Sequence, residues 1–385
     1  MSKFDSPNEK DSWMKQSNLN RIRSFRVATS LLAFCLLSLF SPATADAQKD
    51  GTTHHVTLGG DIQDAIENAS SGDTIQLAAG QYDITTTIDP GGRAIRILGT
   101  VDGNGDPTSI LDGGGASRVL ICQSGETGTT VFQNLVIQNG YASVGGGIYN
   151  NASSPTLTNC TFTSNSCSDE GGGMSNANNS NPTLTDCTFT SNSTNDGGGG
   201  MFNVGSNPTL KNCTFTGNWA NGGGGMANVG SSPTLEGCMF SGNSARGTGK
   251  NAGIGGGMVN LDSAPRLTDC TLTGNSADLD GGAIFNIDMN TNTVTLTDCN
   301  FCGNNDGSGF NDISGGGIDD SSSGNNLREA ACVFGDINFD GVANLADRTS
   351  LNTLIGVCDA DINGDGEVSG ADLAFILSWW GVCSP

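Results

Sequence analysis

The sequence predicts an all-β chain: a right-handed parallel β-helix solenoid, followed by a small C-terminal α-helical domain. Three observations predict it. A six-residue phrase, Pro155-Thr-Leu-Thr-Asn-Cys160, returns at Pro182–Cys187, Pro208–Cys213, Pro233–Cys238, Pro265–Cys270 and, degenerate, at Val294–Cys299. A second phrase, Gly-Gly-Gly-Met/Ile-x-Asn, keeps pace around Ile148, Met174, Met201, Met226 and Met258, and weakens at Ile284. Near the C-terminus, Asp336-x-Asn-x-Asp-Gly341 recurs as Asp361-x-Asn-x-Asp-Gly366.

The cysteines of the first phrase are spaced by 27, 26, 25, 32 and 29 residues. Repeats of this length stack, because one alone cannot bury its apolar face. Each is too rich in Gly, Asn, Ser and Thr for helix. Cys187 and Phe189 are two apart and share one face of a strand. Leu184 lies three before Cys187, so the alternation slips by one residue between them. The slip falls on Asn159, Asp186, Asn212, Gly237, Asp269 and Asp298. These residue types tolerate left-handed backbone. A corner there leaves Leu, Cys and Phe all pointing inward. The Gly-Gly-Gly-Met segment supplies a third strand and one more inward side chain.

Stacking at about 4.8 Å per rung puts equivalent residues in ladders. The sequence predicts ladders of Leu, Cys, Phe and Met. It also predicts a polar ladder of Asn165, Asn192, Asn218, Asn243, Asn275 and Asn304. The plainer reading is that these Asn only suit turns.

Upstream, Asp61-Ile-Gln-Asp-Ala-Ile-Glu-Asn-Ala-Ser70 places apolar residues at 62, 65, 66 and 69, one helical face with Asp61 as N-cap. Three strand-like runs follow, Ser71–Leu77, Gly80–Ile84 and Ala94–Leu98. A helix leading into strands suits the open end of a solenoid, which otherwise exposes unpaired edges.

The Ile62–Leu98 region resembles the start of pectin-lyase-type β-helix domains. The paired Phe-Thr-Ser-Asn and Gly-Gly-Gly-Met/Ile phrases resemble the repeats of chlamydial polymorphic membrane proteins. Together the resemblances span residues 56–318. The chain departs from those membrane proteins in lacking a C-terminal membrane β-barrel.

The N-terminus reads as an export signal. Lys3, Lys10, Lys15, Arg21, Arg23 and Arg26 precede an apolar run, Val27–Phe40, that is short for a membrane span. Cleavage near Ala45 or Ala47 gives a secreted or cell-surface chain with no transmembrane helix; the alternative is an uncleaved anchor. Without residues 1–47, 10 basic residues face 35 acidic ones. That balance excludes nucleic acid as a partner. The expected domains are a signal peptide at 1–47, the β-helix at 48–318, a linker at 319–331 and the terminal domain at 332–385.

Six of the 13 cysteines fall in the inward ladder. Their parallel side chains fit the disulfide torsion poorly, so a dry stack of thiols is expected. Cys122, Cys167 and Cys302 have no assignment from the sequence.

Each Asp-x-Asn-x-Asp-Gly segment fits a calcium loop. The first would use Asp336, Asn338, Asp340, the Val342 carbonyl, Asn344 and Asp347. The second would use Asp361, Asn363, Asp365, the Glu367 carbonyl, Ser369 and Asp372. Hard oxygen ligands at this spacing, around a turn-forming Gly, suit calcium, one ion per loop. The plain alternative is two Asx-rich turns. The twelfth position is Asp, and one helix follows each loop. That pattern resembles a type I dockerin over residues 332–385, which implies docking to a cohesin-like or cell-surface protein. Positions 10 and 11, which help bind cohesin in that family, are here Leu345-Ala346 and Gly370-Ala371. Cys358 is expected to pair with Cys383 or Cys332. Trp379 and Trp380 are expected to pack beside Leu373, Phe375 and Ile376.

Pectate lyases of the resembled fold use calcium-holding acids and a basic proton abstractor, and its glycoside hydrolases use clustered Asp. The repeats show neither. Asp319-Asp320 lies where they end. The expected function is a non-catalytic adhesive, structural or carbohydrate-binding module. The alternatives are a polysaccharide lyase or hydrolase, with a site beside the insertion at 244–254, and an ice- or crystal-binding Thr-x-Thr face at Thr161/Thr163, Thr188/Thr190, Thr214/Thr216 and Thr271/Thr273, interrupted at Met239/Ser241.

Overall fold

The computed structural model describes residues 51–247, 253–287, 292–307, 309–310, 313–319 and 327–329. Each rung contributes to three parallel sheets. The long sheet takes two short strands per rung, such as Thr183–Thr185 and Thr188–Thr190. The second sheet takes the Gly-Gly-Gly-Met segments, such as Met174–Ala177. The third takes the short strands between them, such as Ser166–Glu170.

The expected corner is where the sequence places it. Asn159, Asp186, Asn212, Asp269 and Asp298 have φ between 49° and 53°, and Gly237 has φ 61°. Elsewhere the backbone itself demands glycine. A Cβ on Gly173 would lie 2.6 Å from the Gly200 carbonyl oxygen and 3.0 Å from Phe189.

All four apolar ladders form. Leu157, Leu184, Leu210, Leu235, Leu267 and Leu296 pair in register. So do Met174, Met201, Met226 and Met258, between Ile148 and Ile284. Phe162, Phe189, Phe215 and Phe240 stack face to face with ring centroids 4.6–4.7 Å apart. That spacing is the rung spacing, so ring overlap and strand pairing satisfy one geometry. The six ladder cysteines are buried free thiols. Burial pushes the Cys187 thiol well above its ordinary value.

The Asn ladder forms too. Each Nδ2 donates to the Oδ1 of the next rung's Asn at 2.8–3.0 Å. The same Nδ2 donates to a carbonyl of the preceding rung, such as Phe162 O for Asn192. The ladder therefore does more than tolerate the turn; it satisfies buried polar groups along the corner.

At the N-terminal end, the helix Ile62–Glu67 buries Ile62 and Ile66, and the Asp61 carboxylate accepts from the Gln63 and Asp64 amides. It covers the first rung, Thr53–Val56 paired with Thr74–Leu77. At the far end, sheet pairing reaches residues on both sides of 320–326. Residues 319–331 read as a linker; within and beside this stretch, Ile318–Asp319 pair with Val294–Thr295, and Leu327–Glu329 pair with Asn300–Cys302. The sheet continues because strand pairing uses backbone groups, which the polar composition of this stretch leaves available.

Candidate functional site

The outer face of the long sheet is a regular array. Outward positions alternate with the buried Leu and Phe, so they fall in columns. One column runs Thr161, Thr188, Thr214, Met239, Thr271, Asn300; its neighbour runs Thr163, Thr190, Thr216, Ser241, Thr273. Across the left-handed corner, Thr156, Thr183, Thr209 and Thr234 form another column, which Arg266 continues. Met239, 39% exposed, breaks the hydroxyl array. Lys211 and Glu236, one rung apart, form an exposed pair at 2.9 Å. Its hydrogen bond to Glu236 raises the Lys211 pKa, but an exposed pair adds little stability. Backbone pairing above and below fixes every other position.

Behind this face run two polar ladders that the sequence reading did not assign. Asn150, Asn176, Asn203, Asn228 and Asn260 hydrogen-bond Nδ2 to Oδ1 at 2.8 Å inside the second sheet. The signal was present: each Asn sits two after the inward Ile or Met, on the same strand face. This ladder breaks between Asn260 Nδ2 and Asn286 Oδ1, two buried atoms without partners. Ser153, Ser180, Ser206, Ser231 and Ser263 form the other, each hydroxyl after the first accepting the preceding rung's Ser amide. The Ser153 hydroxyl ends that ladder by donating to the Glu126 carboxylate at 2.8 Å. Burial raises the Glu126 pKa, but donors from Gly92, Ser153 and Ser124 outweigh it and hold the carboxyl below its usual value.

The outer side of the second sheet carries a small apolar cluster, Phe202, Ala227, Val259 and Phe285, with Ile254 against it. Ile254 belongs to the insertion at 244–254. It bridges Gly222 and Asp280, so the insertion rejoins the repeat before Met258. Beside it, the Gly247 amide donates to Asp278 Oδ2 at 3.3 Å, and Arg246 Nε donates to Ser244 Oγ at 2.8 Å.

The N-terminal edge of the third sheet holds a different arrangement. The sheet begins at Tyr141–Val144. Arg118 donates from Nη2 to Val144 O at 2.8 Å and from Nε to Gly145 O at 3.1 Å. Its guanidinium sits 5.2 Å from the centre of the Tyr149 ring. Burial lowers the Arg118 pKa and raises that of Tyr149. Cys167, buried nearby, is pushed up to about 11. Cys122 aligns with Asn150 in the second sheet. Cys302 is disulfide-bonded.

All twelve calcium-loop positions, from Asp336 to Asp372, lie outside the described residues, as do Asp320, Trp379, Trp380 and the Cys332, Cys358 and Cys383 pairings. Residues 1–47, the export signal, also lie outside them. Among the described residues no group of three or more His, Cys, Asp or Glu is placed to hold a metal, and no helix is long and apolar enough to cross a membrane.

The described residues have the right-handed β-helix fold, and a family model described as "Right handed beta helix region" matches residues 147–334. Among solved structures, a pectate lyase is 14% identical, with 73% of this chain and 82% of that chain covered and a TM-score of 0.43. A tailspike protein of an Acinetobacter baumannii bacteriophage, a capsular polysaccharide depolymerase, is 14% identical over 74% of this chain and 60% of that one, with a TM-score of 0.40. An alginate lyase from Paenibacillus is 11% identical over 70% and 99%, also at 0.40. No curated protein matches the chain.

Proposed function

We propose that this chain is a secreted or cell-surface module that binds polysaccharide without cleaving it, and that residues 332–385 form a calcium-dependent domain that docks or anchors it. The observation that carries the reading is the in-register Thr array on the long sheet. Each Thr presents a methyl and a hydroxyl that both donates and accepts. Paired backbone on both sides holds these groups in place, so binding loses little further conformational freedom. A nearly uncharged lattice of hydroxyls and methyls suits a polymer surface built of hydroxyl and C–H groups.

The test is co-sedimentation of the full chain with a panel of insoluble polysaccharides. Wild type should sediment with at least one of them, and a Thr188→Glu/Thr214→Glu variant that melts like wild type should not. Equal sedimentation of both would overturn the reading of this face. The anchoring role rests on the two tandem loops. Calorimetry of the full chain should show two calcium ions bound, and one fewer in Asp361→Ala. A stoichiometry near zero would leave the loops as plain Asx turns.

A further inference from the structure

We propose that a disulfide between Cys302 and Cys332 closes the C-terminal end of the solenoid and fastens the chain beyond residue 329 to the outer side of the long sheet, which leaves Cys358 to pair with Cys383. The proposal does not rest on the binding role of the Thr face.

Cys302 is disulfide-bonded, and the other eight described cysteines are free thiols. Its partner is therefore one of the remaining four, Cys35, Cys332, Cys358 or Cys383. Strand register selects among them. Leu327–Glu329 pair with Asn300–Cys302, which puts Glu329 beside Cys302. Cys332 follows three residues later. Three residues reach about 10 Å at most, and a disulfide needs its Cα atoms about 4.4–6.8 Å apart. A short turn back over Cys302 meets that distance. Cys358 and Cys383 lie much further along the chain, and a longer loop costs more entropy to close. They also end the matching Gly-Val-Cys phrases of the tandem repeat, so they suit each other. Cys35 lies in the apolar run of the export signal.

The Cys302 side chain gives the bond its place. Phe301 points into the core, so Cys302 points outward, in the column of Thr163, Thr190, Thr216, Ser241 and Thr273. Those five residues are half-buried, whereas Cys302 is only 8% exposed. The bonded segment therefore covers the sheet from outside, where the Thr array ends. A solenoid end lacks a further rung and exposes strand edges. At the N-terminal end the helix Ile62–Glu67 supplies the cover. At the C-terminal end the bond closes a loop that contains the last rung, and such a loop restricts mainly the unfolded chain. The bond forms when the two thiols pass two electrons to a low-molecular-weight disulfide and their two protons leave it as two thiols. Tension on residues beyond Cys332 then reaches Cys302 directly and bypasses the last rung.

The experiment is peptide mapping of the full chain by mass spectrometry, with free thiols alkylated in denaturant and the digest left unreduced. The peptide holding Cys302 should be joined to the one holding Cys332, and Cys358 to Cys383. Hydrogen exchange tests the capping role. On reduction, amides of Asn300–Cys302 and Leu327–Glu329 should exchange about tenfold faster or more, while those of Met174–Ala177, inside the solenoid, keep their rate. Cys332→Ser should show the fast rates without reductant and gain nothing further from it, which separates this bond from Cys358–Cys383. If that variant does not fold, the wild-type map still decides the pairing and wild-type exchange the role. The proposal is overturned if Cys302 is joined to Cys35, Cys358 or Cys383, if it carries the alkyl label, or if exchange at the last rung is indifferent to reduction.

Discussion

Asn192 donates from Nδ2 to Asn218 Oδ1 at 3.0 Å, and the Asn192 backbone amide donates to the same oxygen at 3.0 Å. One side-chain atom thus serves two buried donors of the neighbouring rung. Replacing Asn218 by Ala takes the acceptor from the Asn192 amide and Nδ2, and removes the Nδ2 donor to Phe189 O. Each unsatisfied buried group costs about 1–3 kcal/mol. We expect Asn218→Ala to lower stability by about 3 kcal/mol or more in chemical denaturation. A loss below about 1 kcal/mol would mean that the ladder only accompanies the turn.

The Phe ladder contains its own control. Leu272 occupies the Phe column directly after Phe240. A leucine therefore fits the rung shape, whereas an alanine leaves a cavity. Phe215→Ala should cost about 3–5 kcal/mol, and Phe215→Leu clearly less. Equal losses in denaturant titrations would show that ring stacking, not filled volume, dominates at this position.

The ladder thiols should be hidden from solvent. Cys160, Cys187, Cys213, Cys238, Cys270 and Cys299 are at most 1% exposed. In native protein they should resist a thiol reagent, and all should react after unfolding. Burial raises the Cys122 and Cys187 pKa values in the folded state. The unfolded chain then releases these protons first as pH rises. Their contribution to stability is therefore present below about pH 8.5, the unfolded thiol value, and is lost above it. A melting temperature that climbs from pH 8 to pH 10 would contradict this.

Much of the solenoid was legible because its ladders repeat. The slip residue Asp186 could be read from the three-residue gap between Leu184 and Cys187, and the backbone turns there with φ 53°. What escaped depends on the first rungs, where no repeat exists to align. Arg118 meets Val144 only because a sheet starts there, and Glu126 meets Ser153 only because a ladder ends there. The extension through Leu327–Glu329 escaped because backbone pairing leaves no side-chain signature.

Asp73 ties down the first strand. Its carboxylate accepts from the Ser70 and Thr52 amides and contacts His54 Nε2 at 3.0 Å. The Ser70 amide first, then His54 and Thr52, hold its pKa at about 2, below the ordinary 3.8. A lowered carboxyl stabilises the fold above its unfolded value and loses that contribution as pH falls towards about 2. Amide exchange at Thr52 and Ser70 should accelerate over this window in wild type and much less in Asp73→Asn. Exchange that is flat with pH in wild type would contradict it.

The central claim, binding without cleavage, is tested most directly by incubating the full chain, with calcium, on each polysaccharide it sediments with and measuring the polymer's length distribution. The account predicts bound protein and unchanged polymer length at every time point. Shortened polymer from wild type, lost on changing one Arg or Asp of residues 51–330, would contradict it.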